Sequence, residues 1–291
     1  MNYSKGKFII SGEHSVVYKQ PALVCTLEKK LTARLVVGDN TARKQSKYEK
    51  HILQLFSTRY NVDVRNIYFE INSEIPQRSG LGSSAAFAHA VILELIEHFS
   101  LSLTKDAVFN LVFDSEVFVH KNPSGIDPFA VVYEGLHVFQ KDVGTGTFIK
   151  ERIQLATEYE VLLINSGAAS ETTGDMVLAV QKSVQTNPQL QQSIKNIGVL
   201  TKKITQELVS GTFDGRLLQE NQKELEKLAV VGSNAKNMIA QLSKIGAYAK
   251  ITGAGGVKTG SGWILVFAPD LENVIRLCTR NSWENIKTKV K

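Results

Sequence analysis

The sequence predicts an α+β protein built from two α/β domains. Three observations carry the prediction. The first half mixes strand-like and helix-like runs, up to about residue 155. A buried strand, Tyr159–Asn165 ("YEVLLIN"), then opens a second half that continues as a helix-rich stretch and returns to strands near its end. The 291 residues are 43% hydrophobic, enough apolar material for one large core or two modest ones. A basic and polar stretch before Tyr159 marks the boundary, so domains of 1–155 and 156–291 are expected.

Element by element, Lys7–Ile10 reads as a short strand, and Ala22–Leu27 and Leu31–Val37 as two more, rich in Val, Leu and Thr. Tyr48–Tyr60 carries Ile52, Leu55 and Phe56 at helical spacing. Ile67–Ile71 alternates as a strand. Ser84–Phe99 forms one apolar face from Ala85, Ala88, Val91, Ile92, Leu95 and Ile96. Thr104 caps a helix to Val119, and Phe129–Phe139 reads as strand, turn, strand. Beyond Asn165, helices are expected at Glu171–Val184, Gln189–Leu208, Leu217–Ala229 and Asn234–Leu242. Then come a strand at Ala247–Thr252, a glycine-rich loop, a strand at Trp263–Ala268 and a last helix near Leu271–Thr279.

Composition removes several function classes. The net charge of +6, from 34 basic and 28 acidic residues, is dispersed apart from small clusters such as Lys29-Lys30 and Lys287–Lys291. Nucleic acid binding would want a denser basic stripe interleaved with aromatics, so no nucleic acid partner is expected. Two distant cysteines, Cys25 and Cys278, suit neither a disulfide framework nor a metal site and read as small buried hydrophobes. No uncharged run reaches transmembrane length and the N-terminus lacks a signal core, so a cytoplasmic protein without a membrane partner is expected.

Four stretches carry chemistry. In "PQRSGLGSSAAFAHAV" (Pro76–Val91), Gly80 and Gly82 permit positive φ and let a ligand approach the backbone. Ser83 and Ser84 stand where a helix begins. Its first amides and partial positive charge suit a phosphate, and a serine hydroxyl there suits a phosphate-bound Mg²⁺. A plain helix capped by Ser83 fits the same residues. The loop is neither a Walker A motif nor the dinucleotide fingerprint. In "HKNPSGIDPF" (His120–Phe129), Pro123 and Gly125 fix a turn that holds Asp127 rigidly. Asp127 is a candidate base or metal ligand, with Glu116 eleven residues earlier, or simply a turn former. "KITGAGGVKTGSG" (Lys250–Gly262) packs five glycines into ten residues between strands, as a second phosphate or substrate surface or as a flexible hairpin. In "GKFIISGEHSVVYKQPAL" (Gly6–Leu23), Lys7 opens a strand and Glu13-His14 closes it. These three side chains suit an anion and a polar substrate, or an ordinary surface lysine and turn.

In this order, the stretches resemble the GHMP kinase superfamily of small-molecule kinases. Gly6–Leu23 looks like its first motif, Pro76–Val91 its second and Lys250–Gly262 its third. Within the superfamily, "GEHSVVYKQPAL" and "NPSGIDPFAVVYEG" are similar to the mevalonate kinases, and the Asp-Tyr-Asn run of galactokinases is absent.

The resemblance implies an N-terminal domain like domain 2 of ribosomal protein S5, with a left-handed βαβ crossover, a ferredoxin-like C-terminal domain, and a site between them. It implies ATP and Mg²⁺ as cofactors. Asp127 and Lys7 would be catalytic: Asp127 accepts the proton of the substrate hydroxyl, and Lys7 lowers that hydroxyl's pKa. Gly80, Leu81, Gly82, Ser83, Ser84 and Ala85 would bind ATP. Ser84 and Glu116 would ligate Mg²⁺. Glu13, His14, Gly253, Ala254 and Gly255 would contact the substrate. The function implied is phosphoryl transfer from ATP to the 5-hydroxyl of mevalonate, in a homodimer. Another acceptor (phosphomevalonate, a related hydroxy acid or a sugar) and a non-catalytic ATP-binding sensor are the alternatives. The chain departs from the family pattern at Gln20, Arg78, Val257, Lys258 and Trp263. "LLINSGAASETT" also lacks the Lys and Arg of the corresponding family segment. Lys258 or Arg78 is a candidate replacement cation.

Overall fold

A computed structural model of the chain describes residues 2–38, 45–77, 79–120, 124–141 and 148–291. Two compact units interleave along the sequence. One comprises Met1–Lys7, Glu28–Gln77 and Gly82–Glu134, the other Phe8–Leu27, Arg78–Leu81 and Gly135–Lys291. Strands β1 (Asn2–Ser11) and β2 (Ala22–Val37) run from one unit into the other, with a short 3-10 turn at Ser15–Tyr18 between them. Arg78 and Pro123 lie outside the described residues.

In the first unit, β2 is followed by helix α1 (Lys47–Tyr60), strand β3 (Ile67–Ser73), and helices α2 (Ser83–His98), α3 (Lys105–His120) and α4 (Ile126–Tyr133). The far half of β2 pairs antiparallel with β3, Leu31 opposite Ser73 through Val37 opposite Ile67. Ser46 and Thr104 cap α1 and the start of α3 through their hydroxyls. The α2 face is almost wholly buried, so the helix is a core element carrying its N-terminus at a fixed place.

The second unit holds β4 (Leu136–Lys141), β5 (Phe148–Arg152) and β6 (Tyr159–Asn165). Helices α5 (Thr173–Thr186), α6 (Pro188–Ser210), α7 (Arg216–Lys227) and α8 (Ser233–Lys244) follow, then β7 (Tyr248–Thr252), β8 (Trp263–Phe267), α9 (Leu271–Arg280) and β9 (Asn285–Val290). One sheet runs β1-β2-β4-β5, with β3 also on β2. The other runs β7-β8-β6-β9, every neighbour antiparallel. Numbered within itself, that second sheet is 2-3-1-4, with a β7–β8 hairpin and helical crossovers before and after it. This is the ferredoxin-like pattern, with four helices after its first strand where the pattern needs one. Its core is Leu162, Ile164, Ile251, Ile264 and Val266 against Met176, Ile197, Leu225, Met238 and Val274.

Several sequence expectations change. The two strands expected at 22–27 and 31–37 are one. Glu28 and Lys30 continue the alternation on the outer face, where Glu28 pairs with Lys5 at 3.0 Å and the Lys30 ammonium sits 4.5 Å from the Tyr3 ring centre. The strand expected from Phe129 is helix α4. Gly125 enters it at φ +89° and Asp127 sits in its first turn, while Phe129, Ala130, Val131 and Val132 are all buried. Burial here outweighs the strand preference of the valines. The helix expected from Ser84 begins at Ser83, and its N-cap is Gly82, not Ser83. Strands β5 and β9 were not expected. In β9 the Lys287–Lys291 cluster is an alternating strand: Thr288 and Val290 face in, while Lys287 and Lys289 face out to Glu160 and Glu158 at 3.1 and 2.7 Å. Cys25 and Cys278 are both buried, as expected.

Candidate active site

In the first unit, five elements converge on one cluster. Lys7 lies inside β1 rather than opening it, and is only 2% exposed. A surface role is thereby excluded: a buried ammonium needs a partner. The partner is Asp127, whose Oδ1 lies 2.8 Å from Lys7 Nζ. Gly125 bends the chain so that Asp127 falls in the first turn of α4, where the helix dipole favours a carboxylate.

The N-terminus of α2 sits against the same lysine. Gly82 has φ +79°, and a Cβ there would come within 2.9 Å of Lys7 Cγ. Glycine is therefore required twice, by conformation and by contact. Gly82 brings no capping side chain, so the first amides of α2 are left to an outside acceptor.

Glu116, on α3, is fully buried. Its Oε1 accepts a hydrogen bond from the Tyr48 hydroxyl at 2.7 Å and its Oε2 one from the Ser84 hydroxyl at 3.0 Å. His120 Nε2 lies 3.3 Å from Oε2, one helical turn along. Burial pulls the His120 pKa down, but the hydrogen bond and charge of Glu116, aided by Asp127, leave it raised overall. Burial, then Glu116, raises the Tyr48 pKa. Tyr48 and His120 escaped the sequence reading; the signal for His120 was its place four residues after Glu116, and Tyr48 carried none.

Among the described residues no three His, Cys, Asp or Glu side chains are grouped to hold a metal by themselves. Ser84 and Glu116 nevertheless bring two hard oxygen donors to within hydrogen-bond distance of each other. That donor set fits Mg²⁺, which binds through one or two protein oxygens while phosphates and water supply the rest.

In the second unit, Glu13 and His14 follow β1 in a tight turn and are 2% and 5% exposed. His14 has φ +60°, a conformation uncommon outside glycine and typical of functional positions. Its Nε2 is 2.9 Å from the Ala254 carbonyl. A carbonyl only accepts, so Nε2 carries the proton and Nδ1 is an acceptor. Burial pushes the His14 pKa down to about 4, so the ring is neutral near pH 7. Glu13 forms a buried ion pair with Lys250 of β7, another residue the sequence reading left without a role.

The Gly253–Gly262 loop joins β7 and β8, but it is no slack hairpin. A Cβ on Gly255 would lie 2.1 Å from the Val230 carbonyl oxygen, and one on Gly260 1.9 Å from that of Gly167. Those glycines serve backbone packing against neighbouring loops. Gly253 differs: its φ is +95°, and its nearest neighbour is the Gly80 backbone, 3.4 Å from where a Cβ would stand. Leu81 is fully buried and anchors the loop, while Ala85 is buried inside α2. Gln20 packs against Gly198 of α6, whose missing side chain makes room for it. The Lys258 side chain is exposed, and its backbone amide donates to Glu171.

The family described as GHMP kinases N terminal domain matches residues 47–135. A mevalonate kinase from Archaeoglobus fulgidus is 30% identical over 260 residues, covering 86% of this chain and 87% of that protein. One from Thermococcus sibiricus is 27% identical, covering 92% and 89%. The crystal structure of L. major mevalonate kinase in complex with R-mevalonate superposes with a TM-score of 0.83 at 22% identity, covering 100% of this chain and 95% of that one. At that identity the superposition speaks to the fold.

Proposed function

The chain belongs to the mevalonate kinase family of the GHMP kinases, and from that premise we propose that it transfers the γ-phosphoryl group of ATP to the 5-hydroxyl of mevalonate. The observation that carries the reading is the buried Lys7 ammonium 2.8 Å from Asp127 Oδ1, with the head of α2 packed on the same lysine.

Phosphoryl transfer asks for positioning and charge stabilisation. The backbone from Gly80 to Ala85, including the first amides of α2, receives phosphate oxygens. Glu13 and His14 contact the acceptor. Asp127 takes the proton of the acceptor hydroxyl as its oxygen bonds to the γ-phosphorus and the bond to the bridging oxygen breaks, releasing ADP. Lys7 stabilises the hydroxyl oxygen as it gains charge. Ser84 and Glu116 would hold Mg²⁺, which offsets phosphate charge when bound.

A second reading changes only the acceptor. It is favoured by the absence of any cation between Asn165 and Thr172, where the family segment carries Lys and Arg. One panel tests both: kcat/KM for mevalonate, phosphomevalonate, related hydroxy acids and sugars, with the product identified by phosphorus NMR. Mevalonate should exceed every other acceptor by at least about tenfold, and a higher value for another compound would transfer the assignment to it. Cytoplasmic residence, a homodimer and a division near residue 155 belong to the same reading, and fractionation, sedimentation and expression of 1–155 alone test them.

A further inference from the structure

Lysine side chains that are fully buried are rare. Lys250 is 0% exposed. Its strand explains where it points. Ala249 and Ile251 belong to the helix-facing core, so alternation turns Lys250 and Thr252 to the opposite face of β7. There, Thr252 Oγ1 accepts from the Ile9 amide at 2.8 Å and donates to the Ile9 carbonyl at 3.0 Å. Lys250 Nζ donates to Glu13, just past the end of β1, and to the Ile251 carbonyl at 2.7 Å. The polar face of β7 thus clamps the last turn of β1 and the Glu13-His14 turn that follows it.

A buried ion pair is a poor device for stability alone, since a well-packed apolar pair usually serves as well. Its other uses are to fix one geometry and to set local charge. Both matter beside an acid. An anionic acceptor meeting an unpaired Glu13 carboxylate would be repelled. Paired with an ammonium, the same carboxylate becomes a neutral unit that still accepts a hydroxyl hydrogen bond. His14 adds no charge, because its ring is neutral and its Nε2–H is committed to Ala254.

We propose that Lys250 is a positioning residue that determines acceptor specificity: it holds the Glu13 carboxylate in place and cancels its charge, so that an anionic hydroxy acid is accepted. The inference rests on the proposed role of Glu13 in acceptor binding. It leaves the phosphate-binding residues untouched, so its effect falls on the acceptor.

The test compares wild type, Lys250→Met and the double variant Glu13→Gln/Lys250→Met, with thermal unfolding of each. In both variants the KM for mevalonate should rise roughly 10- to 100-fold, the range for loss of a charge-assisted hydrogen bond, while the KM for ATP stays within about twofold. Removing both charges should return the melting temperature toward wild type without returning the mevalonate KM. A double variant with a wild-type mevalonate KM would make the pair purely structural and overturn the proposal. So would equal increases in both KM values, or loss of the fold in both variants. Wild-type protein that turns over another acceptor but not mevalonate would instead overturn the proposed function, and this inference with it.

Discussion

Gly82→Ala is a small change with two separable consequences. The first is conformational. Gly82 has φ +79°, and an L-residue in that region costs about 1–2 kcal/mol. At about 2–4 °C per kcal/mol for a chain of this size, the melting temperature should fall by roughly 2–8 °C. The second is local. The new methyl would stand 2.9 Å from Lys7 Cγ, whereas ordinary contacts begin at 3.4 Å, so Lys7 or the head of α2 must give way. That lysine is held 2.8 Å from Asp127. A misplacement approaching 1 Å at a reacting group costs on the order of 10²-fold, so kcat should fall about 10- to 100-fold. Gly211→Ala separates the two effects. Gly211 has φ +76° at the end of α6 with nothing within 4 Å of a new Cβ, so it carries the strain without the clash. The assay is ADP release under saturating Mg-ATP and mevalonate, beside thermal unfolding. A Gly82→Ala protein within about threefold of wild-type kcat, or an equal loss in Gly211→Ala, would refute the reasoning.

Two further predictions concern the carboxylate on α3 and the buried histidines. Tyr48→Phe keeps the ring against Phe87 and Phe118 but removes the 2.7 Å donor to Glu116. Mn²⁺ binding with ATP, read by electron paramagnetic resonance, should weaken roughly 10- to 100-fold, and Glu116→Gln should weaken it at least as much; unchanged binding in both would remove Glu116 as a ligand. Burial pushes His14 and His89 down to about 4, the latter helped by the charge of Lys105, against about 6.5 in the unfolded chain. The unfolded state therefore binds the extra protons. Their stability contribution is full above pH 6.5 and falls as pH drops toward 4, by up to about 3 kcal/mol for each ring. The urea midpoint of wild type should drop more between pH 7 and 4.5 than that of His89→Gln, and identical drops would contradict the assignment.

Legibility in the sequence followed physical cause. Tyr159–Asn165 was readable because Val161–Ile164 form a short branched apolar run, buried throughout and bounded by polar residues on both sides. The α2 helix was readable because its periodicity and its glycine-serine head agree. Helix α4 was not, because Val131 and Val132 prefer strands and only burial against neighbouring helices reverses that preference. Strand β9 was hidden by its lysines, which look like a solvated tail until Glu158 and Glu160 stand opposite them. At the site, Lys7, Asp127, Ser84 and Glu116 were readable through motif resemblance, and the fold brings them together in one unit. Tyr48 and Lys250 were not. Each bonds a partner distant in sequence, Glu116 from Tyr48 and Glu13 from Lys250, and such a pairing exists only once the chain has folded.

The most direct test of the account is ADP release from purified protein with Mg-ATP, with and without mevalonate, beside the Asp127→Asn variant. The account predicts mevalonate-dependent release in wild type and a kcat at least about 10²-fold lower in the folded variant, the lower end for loss of a general base. Release that ignores mevalonate, or a variant that turns over at nearly the wild-type rate, would contradict it.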